Sequence, residues 1–135
     1  MARNATVEPE QMVAYMEGLL TNIANGVVDE SEDAVKAGAR MAAREWRKNA
    51  RSTFGGTGKY AKSIRSKLTK GGVNPSAEAG SASMPGLPHL LEKGHARVGG
   101  GRVAGRPHIA PAAEVAFDYT EELMGKAIER VLNDA

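Results

Sequence analysis

The chain has 135 residues and a net charge of +2, which is the size of one domain and leaves little room for a second. Leu, Ile, Val and Phe together make up 24 of the 135 residues, whereas alanine alone makes up 22, so we expect a thin core that depends on neighbouring subunits for part of its burial. The absence of cysteine excludes disulfide scaffolds, thiol catalysis and Cys-ligated metal centres, and the apolar runs are far shorter than the roughly 20 residues that span a bilayer.

Charge is strongly segregated along the sequence. The net charge is −6 over residues 1–35, +10 over residues 36–70, +2 over residues 71–110 and −4 over residues 111–135. One interpretation is that acidic helices neutralise a basic one, within the fold or across subunits. The other is that a basic surface binds nucleic acid or an acidic partner protein, because clustered Lys and Arg are typical of both. The two interpretations are compatible.

The first part of the chain is predicted to form two long helices. Residues 9–25 carry one apolar stripe at helical spacing, and Pro9 suits a first helical turn. The stripe consists of Met12, Met16, Leu19, Leu20, Ile23 and Val27. A second helix is predicted over residues 27–51, and Gly26 either kinks the helix or separates the two. Small side chains that let another backbone approach this second helix closely are Ala34, Gly38 and Ala42.

The rest of the chain is predicted to contain shorter elements. A weak alternation favours a strand over residues 60–70 and a poorly specified second strand over residues 77–83. A short helix over residues 89–93 and a final helix over residues 111–132 follow. Between these two helices, residues 94–107 include five glycines, which is typical of a mobile loop or arm.

The order of these elements predicts an α+β fold. Long N-terminal helices and a C-terminal helix would pack on a small antiparallel sheet, with a long glycine-rich loop. We expect residues 1–135 to form a single domain, in which residues 1–7 are a flexible tail and residues 94–107 are the mobile loop or arm.

Motifs that would indicate catalysis lack the context they require. The glycine-rich segment at residues 55–60 follows a helix rather than a strand and has Tyr60 where a phosphate-binding loop places Ser or Thr after its Lys. Residues 99–104 formally fit G-x-G-x-x-A, but no strand precedes them. The spacings between His89, His95 and His108 do not suit a zinc site. We therefore predict that the protein is not an enzyme and has no catalytic residues, metal ligands or cofactor.

A basic nucleic-acid-binding module is the alternative function. Residues 36–70 hold eleven Lys and Arg side chains, which suit contacts with phosphates. Aromatic side chains for base stacking are scarce and no named DNA-binding motif is present, so any contact would be with the DNA backbone, without sequence readout. The candidate basic face, toward a DNA channel or an interface, consists of Arg40, Arg44, Arg47, Lys48 and Arg51.

A block of short motifs over residues 88–112 is distinctive. The sequence is PHLLEKGHA at residues 88–96, GGRV at residues 100–103 and RPHIAPA at residues 106–112, with TGKYAKS upstream at residues 57–63. These motifs resemble the signature of the head–tail joining or tail-completion proteins of siphophages, which are minor tail components of the neck. The resemblance covers roughly residues 20–132, and the Gly-, Ser- and Ala-rich residues 71–84 depart from it.

The resemblance implies a structural virion protein without catalysis. Such a protein would form a homo-oligomeric, hexameric ring in the head–tail connector, complete the tail, join it to the DNA-filled head and leave an axial channel for the genomic DNA. Its partners would be the head-completion or stopper connector and the tail-tube or tail-terminator proteins, and no membrane would be involved. It would be assembled in the host cytoplasm and located at the head–tail junction of the virion.

As a hypothesis, the distinctive block forms a partner or subunit interface. Its expected members are Leu90, Leu91, Glu92, His95, Gly100, Gly101, Arg102, Arg106 and His108. The residues at positions 90–92 would anchor the glycine-rich arm, and those at positions 100–102 would let it fold against a neighbour.

Overall fold

The computed structural model describes residues 8–134, without the side chain of Glu10, so the predicted flexible tail at residues 1–7 lies outside the described residues. The elements in chain order are α1 (Pro9–Phe54), α2 (Lys59–Lys62), β1 (Ile64–Lys70), β2 (Ser76–Ser81), α3 (Leu87–Lys93), β3 (Gly94–Ala96), β4 (Arg102–Ala104) and α4 (Ile109–Asp134). The α+β class predicted from the sequence is confirmed.

One continuous helix, α1, takes the place of the two helices predicted over residues 9–51. Pro9 occupies its first turn, as predicted, and the helix ends where Gly55 adopts a positive φ of 60°. The predicted separation at Gly26 is wrong. This glycine permits close packing instead, because a Cβ atom there would lie 3.0 Å from Cγ1 of Val131 in α4.

The C-terminal helix α4 packs along α1. The two helices approach closely at Gly38, where an added Cβ would overlap Oγ1 of Thr120, so the small-residue face of α1 admits another helix as expected. Further toward the N-terminus of α1, Nη2 of Arg130 lies 2.9 Å from Oε2 of Glu30. The α4 helix begins at Ile109, two residues before the predicted start.

A two-stranded antiparallel sheet, formed by β1 and β2, packs on α1, where Nη1 of Arg47 donates to the carbonyl oxygen of Ile64 at the start of β1. The register runs from Ile64 opposite Ser81 to Leu68 opposite Ala77, and an irregularity follows before Lys70. The predicted strand over residues 60–70 starts later than expected, because residues 59–62 form the helical turn α2. The second strand ends at Ser81, two residues before its predicted end.

The glycine-rich segment 94–107, predicted as a mobile loop or arm, contains two short strands. Strands β3 and β4 pair antiparallel, with Gly94 opposite Ala104 and Ala96 opposite Arg102. Gly94 adopts φ +81°, and a Cβ at this position would overlap the carbonyl oxygen of Val103. This close backbone approach requires glycine, since any side chain would push the two strands apart.

The core lies where α1, α2, β1 and the start of α4 meet. Its buried members are Ala43, Trp46, Ala50, Ala61, Ile64 and Ala112, with Phe54, Tyr60, Ala79 and Ile109 packed against them. Four of the six buried members are alanines, so the core contains few large side chains. The thin core expected from the composition is therefore seen in the described residues.

Candidate functional site

The carboxylate of Glu92, at the end of α3, caps the N-terminus of α4. Oε1 accepts the backbone N–H groups of His108 at 2.7 Å and Ile109 at 2.8 Å, and Oε2 accepts that of Ala110 at 3.0 Å. These donors have no partner inside a helix, and the helix dipole favours a negative charge at this end. Glu92 therefore fixes where the final helix begins.

The surroundings of Glu92 have opposing effects on its ionisation. Burial raises the pKa of the Glu92 carboxyl, but the three backbone hydrogen bonds and the neighbouring His108 lower it by more, so the pKa lies below its ordinary value of 4.5. The side chain is consequently held as a carboxylate at neutral pH.

A chain of hydrogen bonds connects Glu92 to α1 through buried rings. The indole N–H of Trp46 donates to the hydroxyl oxygen of Tyr60 at 3.0 Å, and that oxygen lies 2.7 Å from Nε2 of His108. Nδ1 of His108 faces two acceptors, the carbonyl oxygen of Arg106 at 2.9 Å and Oε1 of Glu92 at 3.0 Å.

The groups around His108 indicate which of its ring nitrogens donates a hydrogen bond. Because both groups beside Nδ1 of His108 are acceptors, Nδ1 carries a proton; in the neutral imidazole, Nε2 then accepts the hydrogen bond of Tyr60. The His108 side chain is fully buried, and burial also raises the pKa of the Tyr60 hydroxyl despite the hydrogen bond from Trp46. The network is an ordered internal connection between α1, α2 and α4.

Two further contacts hold the distinctive block against the end of α1. Nδ2 of Asn49 donates to the carbonyl oxygen of His108 at 3.1 Å. Nη1 of Arg106 donates to the carbonyl oxygen of Thr53 at 3.2 Å, and its guanidinium carbon lies 5.9 Å from the ring centroid of Phe54. Three of the predicted interface residues, Glu92, Arg106 and His108, are thus brought together around the start of α4.

The other predicted residues of the block lie apart from this network. Leu90 is 44% exposed on α3, and Leu91 is half-buried. His95 is exposed on β3, and Arg102 is exposed on β4 with its guanidinium donating to the carbonyl oxygen of Lys93 at 3.2 Å. Gly100 and Gly101, both with positive φ, form the tip of the hairpin. The exposed side of this hairpin is available for contact with a partner.

The candidate basic face lies on the C-terminal half of α1. Four of its residues are exposed: Arg40, Arg44, Lys48 and Arg51. Arg47 differs from them, because its guanidinium donates to the carbonyl oxygen of Ile64 at 2.9 Å and so joins α1 to β1. The face is therefore a row of four exposed cations spaced by four, four and three residues.

The structure does not bring the three histidines together. His108 is buried, whereas His89 and His95 are exposed. Within residues 8–134, no group of three or more His, Asp or Glu side chains is arranged to hold a metal ion. Among the helices described, none is both long and apolar enough to cross a membrane.

Sequence reasoning missed the internal role of Glu92 and its connection to Trp46 and Tyr60. One signal was available for the cap. The residues before α4, Arg106 and Pro107, include no Ser, Thr, Asp or Asn, and Glu92 is the only acidic residue between positions 79 and 113. A helix start without a local cap requires an acceptor from elsewhere.

The described structure thus has an exposed hairpin and a row of exposed cations. A family model, described as "Bacteriophage HK97-gp10, putative tail-component", matches residues 12–94, more than half of the chain. The chain therefore belongs to the HK97-gp10-like family of bacteriophage tail components, and the resemblance found from the motifs is confirmed. Neither a search of curated proteins nor a search of solved structures gave a match.

Proposed function

We propose that this phage tail component acts in the head–tail connector, where it completes the tail and joins it to the DNA-filled head. The observation that carries the proposal is the family match over residues 12–94. The motif block over residues 88–112, which resembles head–tail joining proteins, supports the neck as the location. The role is structural, without catalysis, at the head–tail junction of the virion.

We further infer that copies of the protein assemble into a ring, hexameric as the resemblance implies, around an axial channel for the genomic DNA. The small number of bulky buried side chains supports association. Among the described residues, seven of the nine buried apolar side chains are alanines, so assembly would add the burial that the protomer lacks.

The neck role is tested by imaging particles made without this gene product. We expect DNA-filled heads and separate, full-length tails, because the tail would be built but not joined. Adding the purified protein should restore joined, infectious particles, and imaging of their necks should show its density as a ring. Joined particles formed in its absence would contradict the proposal.

The exposed hairpin of β3 and β4 is the proposed contact with the neighbouring neck proteins, namely the stopper connector or the tail-terminator protein. His95→Glu and Arg102→Glu place negative charge on this hairpin and should leave the protomer folded while abolishing joining. Lys126→Glu, which changes an exposed cation on α4, is the matched control and should support normal joining. Normal joining by the hairpin variants would show that the hairpin is not the contact.

Direct binding of the DNA backbone is the second candidate function. The observation that favours it is the row of exposed cations at Arg40, Arg44, Lys48 and Arg51. In that case the protein would bind duplex DNA of any sequence, with affinity that falls steeply as salt increases. Titration of labelled duplex at two salt concentrations measures this directly, and the neck role predicts weak binding.

A further inference from the structure

The N-terminal end of α1 extends beyond the rest of the fold. Asp134, the last residue of α4, lines the same groove as Asn22 and Ile23 of α1. Residues 9–21, which we call the free end, therefore project by about 20 Å, at 1.5 Å per helical residue. Of the side chains described in the free end, all but Leu19 are exposed.

The free end carries large apolar side chains on its surface. Met12, Met16 and Leu20 are spaced by four residues and form one face, which continues the stripe that contacts α4 at Gly26. Val13 is 65% exposed and Leu20 is 62% exposed. A contiguous apolar surface of this kind on a soluble protein marks an interaction site. The apolar stripe of α1 is thus covered by α4 around Gly26 and is uncovered in the free end.

The negative charge of the free end favours a basic surface as its partner. The sequence contains no Lys or Arg from residue 8 to residue 35, and Glu8 and Glu17 are exposed. Two free ends packed side by side would bring like charges together, which is unfavourable. A complementary surface would combine cations with apolar contact area.

The protein itself offers such a surface on the other half of α1. The basic row of Arg40, Arg44, Lys48 and Arg51 is about 17 Å long, close to the length of the free end. A shallow groove of about 170 Å³ adjoins this row, and its lining includes Ala37, Met41 and Tyr119 in addition to Arg40 and Arg44. Within the described residues, the one salt bridge of the row joins Lys48 to Glu45 at 3.8 Å.

We propose that the free end of α1 docks on the basic row and groove of a second copy of this chain. The two surfaces lie on one continuous helix and so cannot meet within a single chain. Each copy would contribute its free end to one neighbour and its row to the other, a head-to-tail contact that closes into a ring when the rotation between copies permits. The inference rests on the proposed function, for which it supplies the contact between subunits.

A complementation experiment with two full-length variants tests this contact. Val13→Glu/Leu20→Glu blocks the free end, and Arg40→Glu/Arg44→Glu blocks the row. By light scattering and sedimentation, each variant should self-associate at least about tenfold more weakly than the wild type. An equimolar mixture should form a heterodimer, because the first variant keeps an intact row and the second keeps an intact free end.

Matched control variants test whether the effects on self-association are specific to the free end and the basic row. Phe117→Glu changes an exposed apolar residue of α4, and Lys62→Glu changes an exposed cation of α2, so both should associate like the wild type. Circular dichroism checks that each variant folds. Association should also weaken as salt increases, because the contact pairs opposite charges.

Several results would overturn the proposed contact. These are a wild type that stays monomeric up to about millimolar concentration, the absence of a heterodimer in the mixture, or self-association of the row-blocked variant equal to that of the wild type. If the row-blocked variant self-associates like the wild type but no longer binds duplex DNA, the basic row binds DNA and not a second copy.

The outcomes for this interface and for the neck role are distinguishable. If the variants fail to complement while particles without the protein still lack joined tails, the interface is wrong and the neck role stands. If the variants complement but particles join without the protein, the neck role is wrong and the interface stands.

Discussion

The hydroxyl oxygen of Tyr60 lies 2.7 Å from Nε2 of His108, although 48 residues separate them in the sequence. The same oxygen accepts the indole N–H of Trp46 at 3.0 Å. One hydroxyl group thus joins the long helix α1, the turn α2 and the residue just before α4. Because Trp46 is largely buried and His108 is fully buried, neither of them has ready access to water as a substitute partner.

Removal of this hydroxyl should destabilise the protein with little change in packing. Tyr60→Phe leaves one donor and one acceptor unsatisfied, at a cost of about 1–3 kcal/mol in the free energy of unfolding. Denaturant unfolding at one fixed protein concentration measures it, since association would also shift apparent stability. Tyr119→Phe, outside this network, is the control and should change stability by less than about 0.5 kcal/mol. Equal effects of the two substitutions would refute the role of the network.

The cap at Glu92 should make stability depend on pH in the acid range. The folded-state pKa of Glu92 lies below its ordinary value of 4.5, so its contribution is complete above that value and is lost as the pH falls through the lower folded-state pKa. Glu92→Gln lacks this contribution. The stability difference between wild type and variant should therefore shrink as the pH falls from 6 toward 3.

Unfolding curves at several pH values measure this difference. Glu114→Gln, an exposed position on α4, controls for the loss of one negative charge. A difference between wild type and Glu92→Gln that stays constant from neutral to acid pH would contradict the assigned role of the carboxylate.

The β3–β4 hairpin should not tolerate a side chain at Gly94. In Gly94→Ala, the new Cβ would overlap the carbonyl oxygen of Val103, and the φ of +81° is itself unfavourable for alanine. We expect a loss of more than about 1 kcal/mol, with faster hydrogen exchange across the hairpin. Gly86→Ala has open space and φ −87° and should be close to neutral. A fully stable Gly94→Ala hairpin would show that the strands are farther apart than described.

Two glycine-to-alanine substitutions should have opposite effects on the long helices. Gly38→Ala should separate α1 from α4, because its Cβ would overlap Oγ1 of Thr120, whereas Gly125→Ala meets nothing within 4 Å. The second should stabilise α4 by up to about 1 kcal/mol, since glycine is a poor helix former. Thermal unfolding compares them, and Thr120→Ala should partly rescue Gly38→Ala. The same sign for both single variants would contradict the packing.

The two long helices could be predicted largely from local pattern, and the error at Gly26 is instructive. The spacing of Met12, Met16, Leu19 and Leu20 identified α1 without any tertiary information. Gly26 was expected to interrupt or bend the helix because glycine is a poor helix former, but tertiary packing overrides that preference when the missing side chain makes room for Val131. A local pattern cannot show which partner a glycine faces.

The candidate site could be predicted only in part, for a related reason. The motif block of residues 88–112 is distinctive in the sequence, yet the sequence alone predicts an external interface for its buried members. Asn49 and Tyr60, the hydrogen-bond partners of His108 on α1 and α2, lie 59 and 48 residues away from it in the sequence. Hydrogen bonds over such separations depend on how α1 and α4 pack, which neither composition nor periodicity specifies.

Because α1 is one unbroken helix, the length of its free end and the direction in which its side chains point change together. Each residue inserted into the free end would lengthen it by about 1.5 Å and turn everything beyond the insertion by about 100° around the helix axis. A single insertion would therefore point the apolar stripe in a new direction, whereas seven residues would restore its direction to within about 20° and move it about 10 Å outward. In an assembly built on this helix, subunit spacing could change only in such steps.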